Sequence, residues 1–189
     1  KINSPIYSVH AGFRVNPEVK ELGNKFSKRS LISVQEAEKE LVQNFGKVCN
    51  IDPFMKIYLE NNVFSNKNFK TYNGENPFLL CTSSDYYRLF KEYNFNLLLD
   101  IGHLKVSCKS LNLDFSRELQ IMLERSDYIH ISDNNGLSDQ NLGLKKNSDM
   151  FDLLYSFSSL LKDKTLTIEV YDGMESVLET NNCLLEILS

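Results

Sequence analysis

Asn94-Phe95-Asn96-Leu97-Leu98-Leu99-Asp100-Ile101-Gly102-His103-Leu104-Lys105-Val106-Ser107-Cys108 joins a short apolar run to the polar residues that end it. Leu97, Leu98 and Leu99 suit a strand covered on both faces, as strands of parallel sheets are, and the nearby Gly102 reads as the turn beyond it. Asp100 falls where such a strand leaves the core, and His103 follows in the expected loop. A carboxylate there loses hydration unless a positive group meets it, and a divalent metal ion is the strongest candidate.

The same local pattern occurs at four other places. Ile6-Tyr7-Ser8-Val9 ends in His10, Lys56-Ile57-Tyr58-Leu59 in Glu60, Tyr128-Ile129 in His130, and Leu166-Thr167-Ile168 in Glu169. Successive end residues are 50, 40, 30 and 39 positions apart, and each interval accommodates one helix with two loops. This is the rhythm of consecutive βα units, in which polar residues at strand C-termini converge on one face of a parallel barrel.

A complete barrel of this kind takes about 250 residues, whereas this chain has 189 and begins with Lys1 rather than Met. The expectation is an α/β (β/α)8 TIM barrel, incomplete here: residues 1–189 form a single barrel domain with about five C-terminal βα units, its N-terminal units absent. The edge left at the His10 strand must then be covered or paired, which makes a homo-oligomer through the open edge an expectation.

Between these strands, Ser33 and Glu36 have capping-box spacing ahead of a helix carrying Val34, Ala37, Leu41, Phe45 and Val48. A second helix starts near Ser83, Asp114 caps a third, a fourth lies around Phe151 to Leu161, and the last spans about Ser176 to Leu188. Val15 to Arg29 reads as a long loop over the strand ends, and a polar loop runs from Asn61 to Pro77.

With 21 Lys and Arg against 25 Asp and Glu, the net charge of −4 makes nucleic acid a poor partner. No apolar run approaches the roughly 18 residues of a membrane span. Cys49, Cys81, Cys108 and Cys183 lack the Cys-x-x-Cys spacing of a zinc knuckle and read as reduced thiols, which places the protein in the cytoplasm.

Glu60, Asp100, His130 and Glu169 together offer oxygen and imidazole ligands without sulfur, a set suited to one Mn²⁺, Co²⁺, Mg²⁺ or Zn²⁺. A metal so held could polarise a hydroxy-carbonyl substrate and stabilise an enediolate. Glu60 and Glu169 would remove and return the proton, giving epimerisation at one carbon or isomerisation across two. Lys105 and Arg14 are candidates for a substrate phosphate or carboxylate, with solvated surface charge as the alternative. Asp133 and Asp139 can orient ligands, Asn61, Asn134 and Asn135 read as turn residues, and a helix or turn cap is the competing reading of Asp100.

In order along the chain, Val9-His10-Ala11-Gly12, Leu59-Glu60-Asn61, Asp100-Ile101-Gly102-His103, His130-Ile131-Ser132-Asp133-Asn134-Asn135-Gly136 and Ile168-Glu169-Val170 resemble the xylose isomerase-like barrels. That family includes sugar isomerases and epimerases, hydroxypyruvate isomerase, inosose dehydratase and the AP endonuclease type. The resemblance implies Glu60, Asp100, His130 and Glu169 as metal ligands, His103 as a contact to substrate oxygen, and His10 as a pocket residue. Where many relatives carry Asp-x-His after the His130 position, this chain has Asp139-Gln140-Asn141. An amide is a poor zinc ligand, which favours a single-metal enzyme of carbohydrate metabolism over a multi-zinc phosphodiesterase. The third reading, a non-catalytic partial barrel that binds a partner, predicts no metal.

Overall fold

The computed structural model describes residues 4–51 and 54–189. Five strands, β1 (Ile6–His10), β2 (Lys56–Glu60), β3 (Asn96–Asp100), β4 (Ser126–Ile131) and β5 (Thr165–Ile168), pair in chain order as one parallel sheet. Between and after them lie α1 (Val34–Cys49), α2 (Asn66–Thr71), α3 (Ser83–Glu92), α4 (Ile101–Leu111), α5 (Phe115–Leu123), α6 (Asp149–Ser156), α7 (Ser158–Leu161) and α8 (Met174–Leu188). Neighbouring parallel strands require such crossovers, because a tight hairpin cannot return the chain to the same end of the sheet. Among the described residues, the outer edges of β1 and β5 have no partner strand.

Alternation along each strand sorts the side chains. Leu97, Leu99, Ile129 and Ile131 join Leu59 and the helical residues Phe45, Leu104, Leu119, Met122, Leu154 and Leu184 in the principal core. Fully burying each such leucine contributes about 1.5–3 kcal/mol. Leu98 and Tyr58 are buried outside that core, and the Tyr58 ring meets Tyr128 edge-on at 5.3 Å. Both alternating sets of β3 are therefore covered, as its continuous Leu run implies.

The register aligns the polar ends. His10 pairs with Glu60 and Asp100 with His130, while the Glu169 N–H continues the ladder to the Ile131 carbonyl at 3.0 Å. A second cluster, Phe26, Phe64, Tyr72, Phe78 and Cys81, packs the long loops together. In the loop from 15 to 29, buried Glu21 accepts the backbone N–H groups of Glu18 and Ser27 and an Arg29 guanidinium hydrogen bond, at 2.7–2.8 Å.

Three local expectations need correction. The segment after Asp100 is helix α4, not a loop, and Gly102 lies inside it. A Cβ on Gly102 would stand 2.5 Å from Ser132 Oγ, so this glycine admits a close approach of helix and loop. The loop from Asn61 to Pro77 contains the six-residue α2, capped by Ser65. The helix expected over Phe151 to Leu161 is divided at Phe157. Three helices start at side-chain caps: Ser33 and Asp114 accept the N–H groups of Glu36 and Arg117, and Thr82 with Asp85 forms a reciprocal capping box before α3. The last, α8, starts at Met174 after Gly173 without a side-chain cap, two residues before the expected Ser176.

All four cysteines are unbridged. Among the described residues no helix is long and apolar enough to cross a membrane.

Candidate active site

At the C-terminal ends of the strands, one ligand atom from each of Glu60, Asp100, His130 and Glu169 lies within 4.8 Å of all the others. Glu60 and Asp100 end β2 and β3, His130 is the penultimate residue of β4 and Glu169 follows β5, so the register brings together side chains that are far apart in sequence. His130 Nδ1 is at the centre, 2.6 Å from Glu169 Oε2, 3.6 Å from Glu60 Oε1 and 3.8 Å from Asp100 Oδ2. Yet His130 Nδ1, Asp100 Oδ2 and Glu169 Oε2 are all buried without an aligned hydrogen-bond partner. Buried polar atoms are ordinarily satisfied. Three buried atoms without an aligned hydrogen bond, converging from separate strands, fit a donor set for a divalent cation.

The two oxygens of Asp100 differ in their surroundings. Oδ1 caps α4 by accepting the His103 N–H at 2.7 Å, and Oδ2 is left for the cluster. The backbone of Asp100 is held by Asn61, whose Oδ1 accepts the Asp100 N–H at 2.7 Å and whose Nδ2 donates to the Asp100 carbonyl at 3.0 Å. Asn61 therefore clamps β2 to β3 at the site. Its identity as a turn residue in the sequence concealed this role, which depends on a partner 39 positions away.

Burial pushes the Asp100 carboxyl up to about 6, with the His103 charge and N–H pulling the other way. Burial disfavours charge on His130, but Glu169 and Glu60 outweigh it and hold the imidazole up at about 10. The hydrogen-bonding approach of His130 in turn brings Glu169 down to about 2. Protons on the histidine thus balance the carboxylates, and a divalent cation would compete with them.

His103 projects from the first turn of α4. Its Nδ1 donates to the Asn61 carbonyl at 2.8 Å and its Nε2 lies 3.2 Å from Asp139 Oδ2. Burial opposes its charge, while Asp100 and Asp139 hold it up at about 10. The His10 ring is 5.7 Å from that of His103. Ligand atoms of His10, Glu60 and His103 form a second group within 4.8 Å, sharing Glu60 with the first.

Two candidate substrate cations are otherwise engaged. Arg14 Nε donates to the Ile32 carbonyl, Nη1 to the Asn76 carbonyl and Nη2 to Glu75, at 3.0, 2.9 and 2.8 Å. It ties loops together through these three contacts. Lys105 lies on α4 and is hydrogen-bonded to Asp133, so its charge is likewise neutralised within the protein. No local sequence feature announced either partner.

No family model matches the sequence, and no curated protein matches it. Among solved structures, a D-tagatose 3-epimerase-like protein matches with a TM-score of 0.67 and 19% identity, over 97% of this chain and 61% of that one. A xylose isomerase domain protein from Alicyclobacillus acidocaldarius subsp. acidocaldarius matches with a TM-score of 0.58 and 14% identity, over 99% of this chain and 65% of that one. The chain spans less than two thirds of the length of either structure. At this identity the likeness is one of fold: five parallel strands with their crossover helices form a curled half-barrel, consistent with part of a TIM barrel.

Proposed function

We propose that this chain carries the metal-holding part of a divalent-metal-dependent isomerase or epimerase acting on a sugar, sugar phosphate or related polyol. The observation that carries this reading is the convergence of Glu60, Asp100, His130 and Glu169, three of whose buried ligand atoms lack an aligned hydrogen bond. The epimerase-like and isomerase-domain neighbours support the substrate class. Residues 1–189 are then one barrel domain, and the edges of β1 and β5, unpaired among the described residues, are the lines along which further βα units, or a second copy, close it.

Glu60, Asp100, His130 and Glu169 would hold the ion. When bound, a divalent cation supplies a Lewis acid that draws electron density from the substrate carbonyl. Glu60 and Glu169 approach the cluster from β2 and from the end of β5, so one takes a proton from the carbon beside the carbonyl and the other returns it to the resulting enediolate. Return to the opposite face of the same carbon inverts it; return to the neighbouring carbon exchanges aldose and ketose. His103, anchored through Nδ1 by Asn61, orients a substrate oxygen, and His10 forms the adjoining wall.

The test compares the metal content and metal-dependent thermal shift of the wild type with those of Glu169→Gln and Asp100→Asn. About one ion per chain, lost in both variants, supports the reading. Solvent deuterium entering a ketose during turnover would then identify the proton transfer. Absence of uptake under Mn²⁺, Co²⁺, Mg²⁺ or Zn²⁺ removes the reading.

The His10, Glu60 and His103 group favours a second possibility, a multi-metal phosphodiesterase resembling the AP endonuclease type. Two or three zinc ions per chain would move it to the front. Asn141 and the net charge of −4 weigh against it.

A further inference from the structure

Glu169 is the least buried of the four clustered side chains, with a quarter of its side chain exposed. The terminal torsion of a glutamate is broad and only roughly two-fold, so a carboxylate in that position is free to turn unless one oxygen is held. The structure contains a device that holds one. The Tyr171 hydroxyl donates to Glu169 Oε1 at 2.7 Å, while Oε2 is the oxygen buried without an aligned partner.

Tyr171 is itself held from another loop. Its N–H donates to the Asn141 carbonyl at 2.9 Å, and Asn141 adopts the left-handed conformation with φ +47°. Asparagine tolerates that region better than most residues. The adjacent Asp172 carboxylate accepts the Gly143 N–H at 3.4 Å, a second tie between the same loops. Asn141 is also the residue at which the Asp-x-His pattern of many resembling sequences is broken. In this chain its backbone serves the segment that follows Glu169.

We infer that Tyr171 is a positioning residue for Glu169: its phenol fixes one carboxylate oxygen so that the other is presented to the metal site. This rests on the proposed role of Glu169 as a ligand. Tyr171 is 72% exposed, so removing its hydroxyl leaves the hydrophobic core intact. Loss of a hydrogen bond that orients a metal ligand typically weakens metal binding about 10-fold or more.

The experiment is Co²⁺ titration of the wild type, Tyr171→Phe and Tyr155→Phe, followed by visible absorption, with unfolding midpoints measured in EDTA. Tyr155→Phe changes another exposed tyrosine, on α6, and serves as the control. The expected result is about 10-fold weaker Co²⁺ binding and an altered absorption band in Tyr171→Phe alone, with its metal-free midpoint at the wild-type value. Unchanged affinity and spectrum in Tyr171→Phe overturn the inference and leave the metal reading standing. A lowered metal-free midpoint accompanying the affinity loss assigns Tyr171 a structural role and overturns it as well. A wild type that takes up no Co²⁺ removes the metal reading and this inference with it.

Discussion

Replacing Asp100 by Asn should make the metal-free protein more stable and the metal-loaded protein less so. Asp100 is fully buried, and its carboxyl is pushed from an ordinary 3.8 up to about 6. The folded state therefore binds this proton more tightly than the unfolded state. No penalty exists below the unfolded value; it grows as pH rises and is complete above the folded value. A difference of roughly two pKa units at about 1.4 kcal/mol each corresponds to a cost on the order of 3 kcal/mol at neutral pH. Asn is comparable to Asp as a helix cap and can still accept the His103 N–H, so the change chiefly removes buried charge.

Urea unfolding in EDTA at pH 7.5 should show the variant more stable by up to about 3 kcal/mol, with the difference disappearing below about pH 4. With divalent ion at 100 times its dissociation constant, the wild type gains about 2.7 kcal/mol while the variant gains little. An EDTA midpoint for the variant at or below that of the wild type at pH 7.5 would refute the argument that Asp100 is held charged at the expense of stability. Equal metal responses would refute its place in the donor set.

Gly102→Ala should destabilise the protein by about 1–3 kcal/mol in thermal or urea melts, because overpacking forces α4 away from the loop bearing Ser132; an unchanged midpoint would show that this approach is not tight. Asn61→Ala leaves the buried Asp100 N–H without its partner, at about 1–3 kcal/mol, and should weaken metal binding as well, which calorimetric titration would detect. The loop around Glu21 should lose protection as pH falls from 4.5 towards 2, because hydrogen bonds from Ser27 and Glu18 hold that carboxyl at about 2. Its contribution is present above the ordinary value and lost on protonation. Hydrogen exchange of residues 18–29 checks this, and Glu21→Gln should show the reduced protection at every pH.

Much of the site was legible in the linear chain because a strand's burial pattern and its polar end are local features. The Leu97 to Leu99 run demanded cover on both faces, and the recurrence of His10, Glu60, Asp100, His130 and Glu169 at strand ends implied that parallel pairing would gather them. Ser33 and Asp114 announced their helices because a capping side chain bonds only three residues ahead.

What the tertiary structure alone decided are the interactions whose partners lie far away in sequence. Gly102 looked like a turn until the packing of α4 against Ser132 showed why a side chain is excluded there. The guanidinium of Arg14 meets Glu75, Asn76 and Ile32, partners that no local pattern announces. Asn61 and Tyr171 carry no distinctive motif, and their roles arise only when β2 lies beside β3 and when Asn141 turns its carbonyl towards the end of β5. Periodicity specifies which residues face a site, but the orientation of each ligand depends on neighbours brought together by the fold.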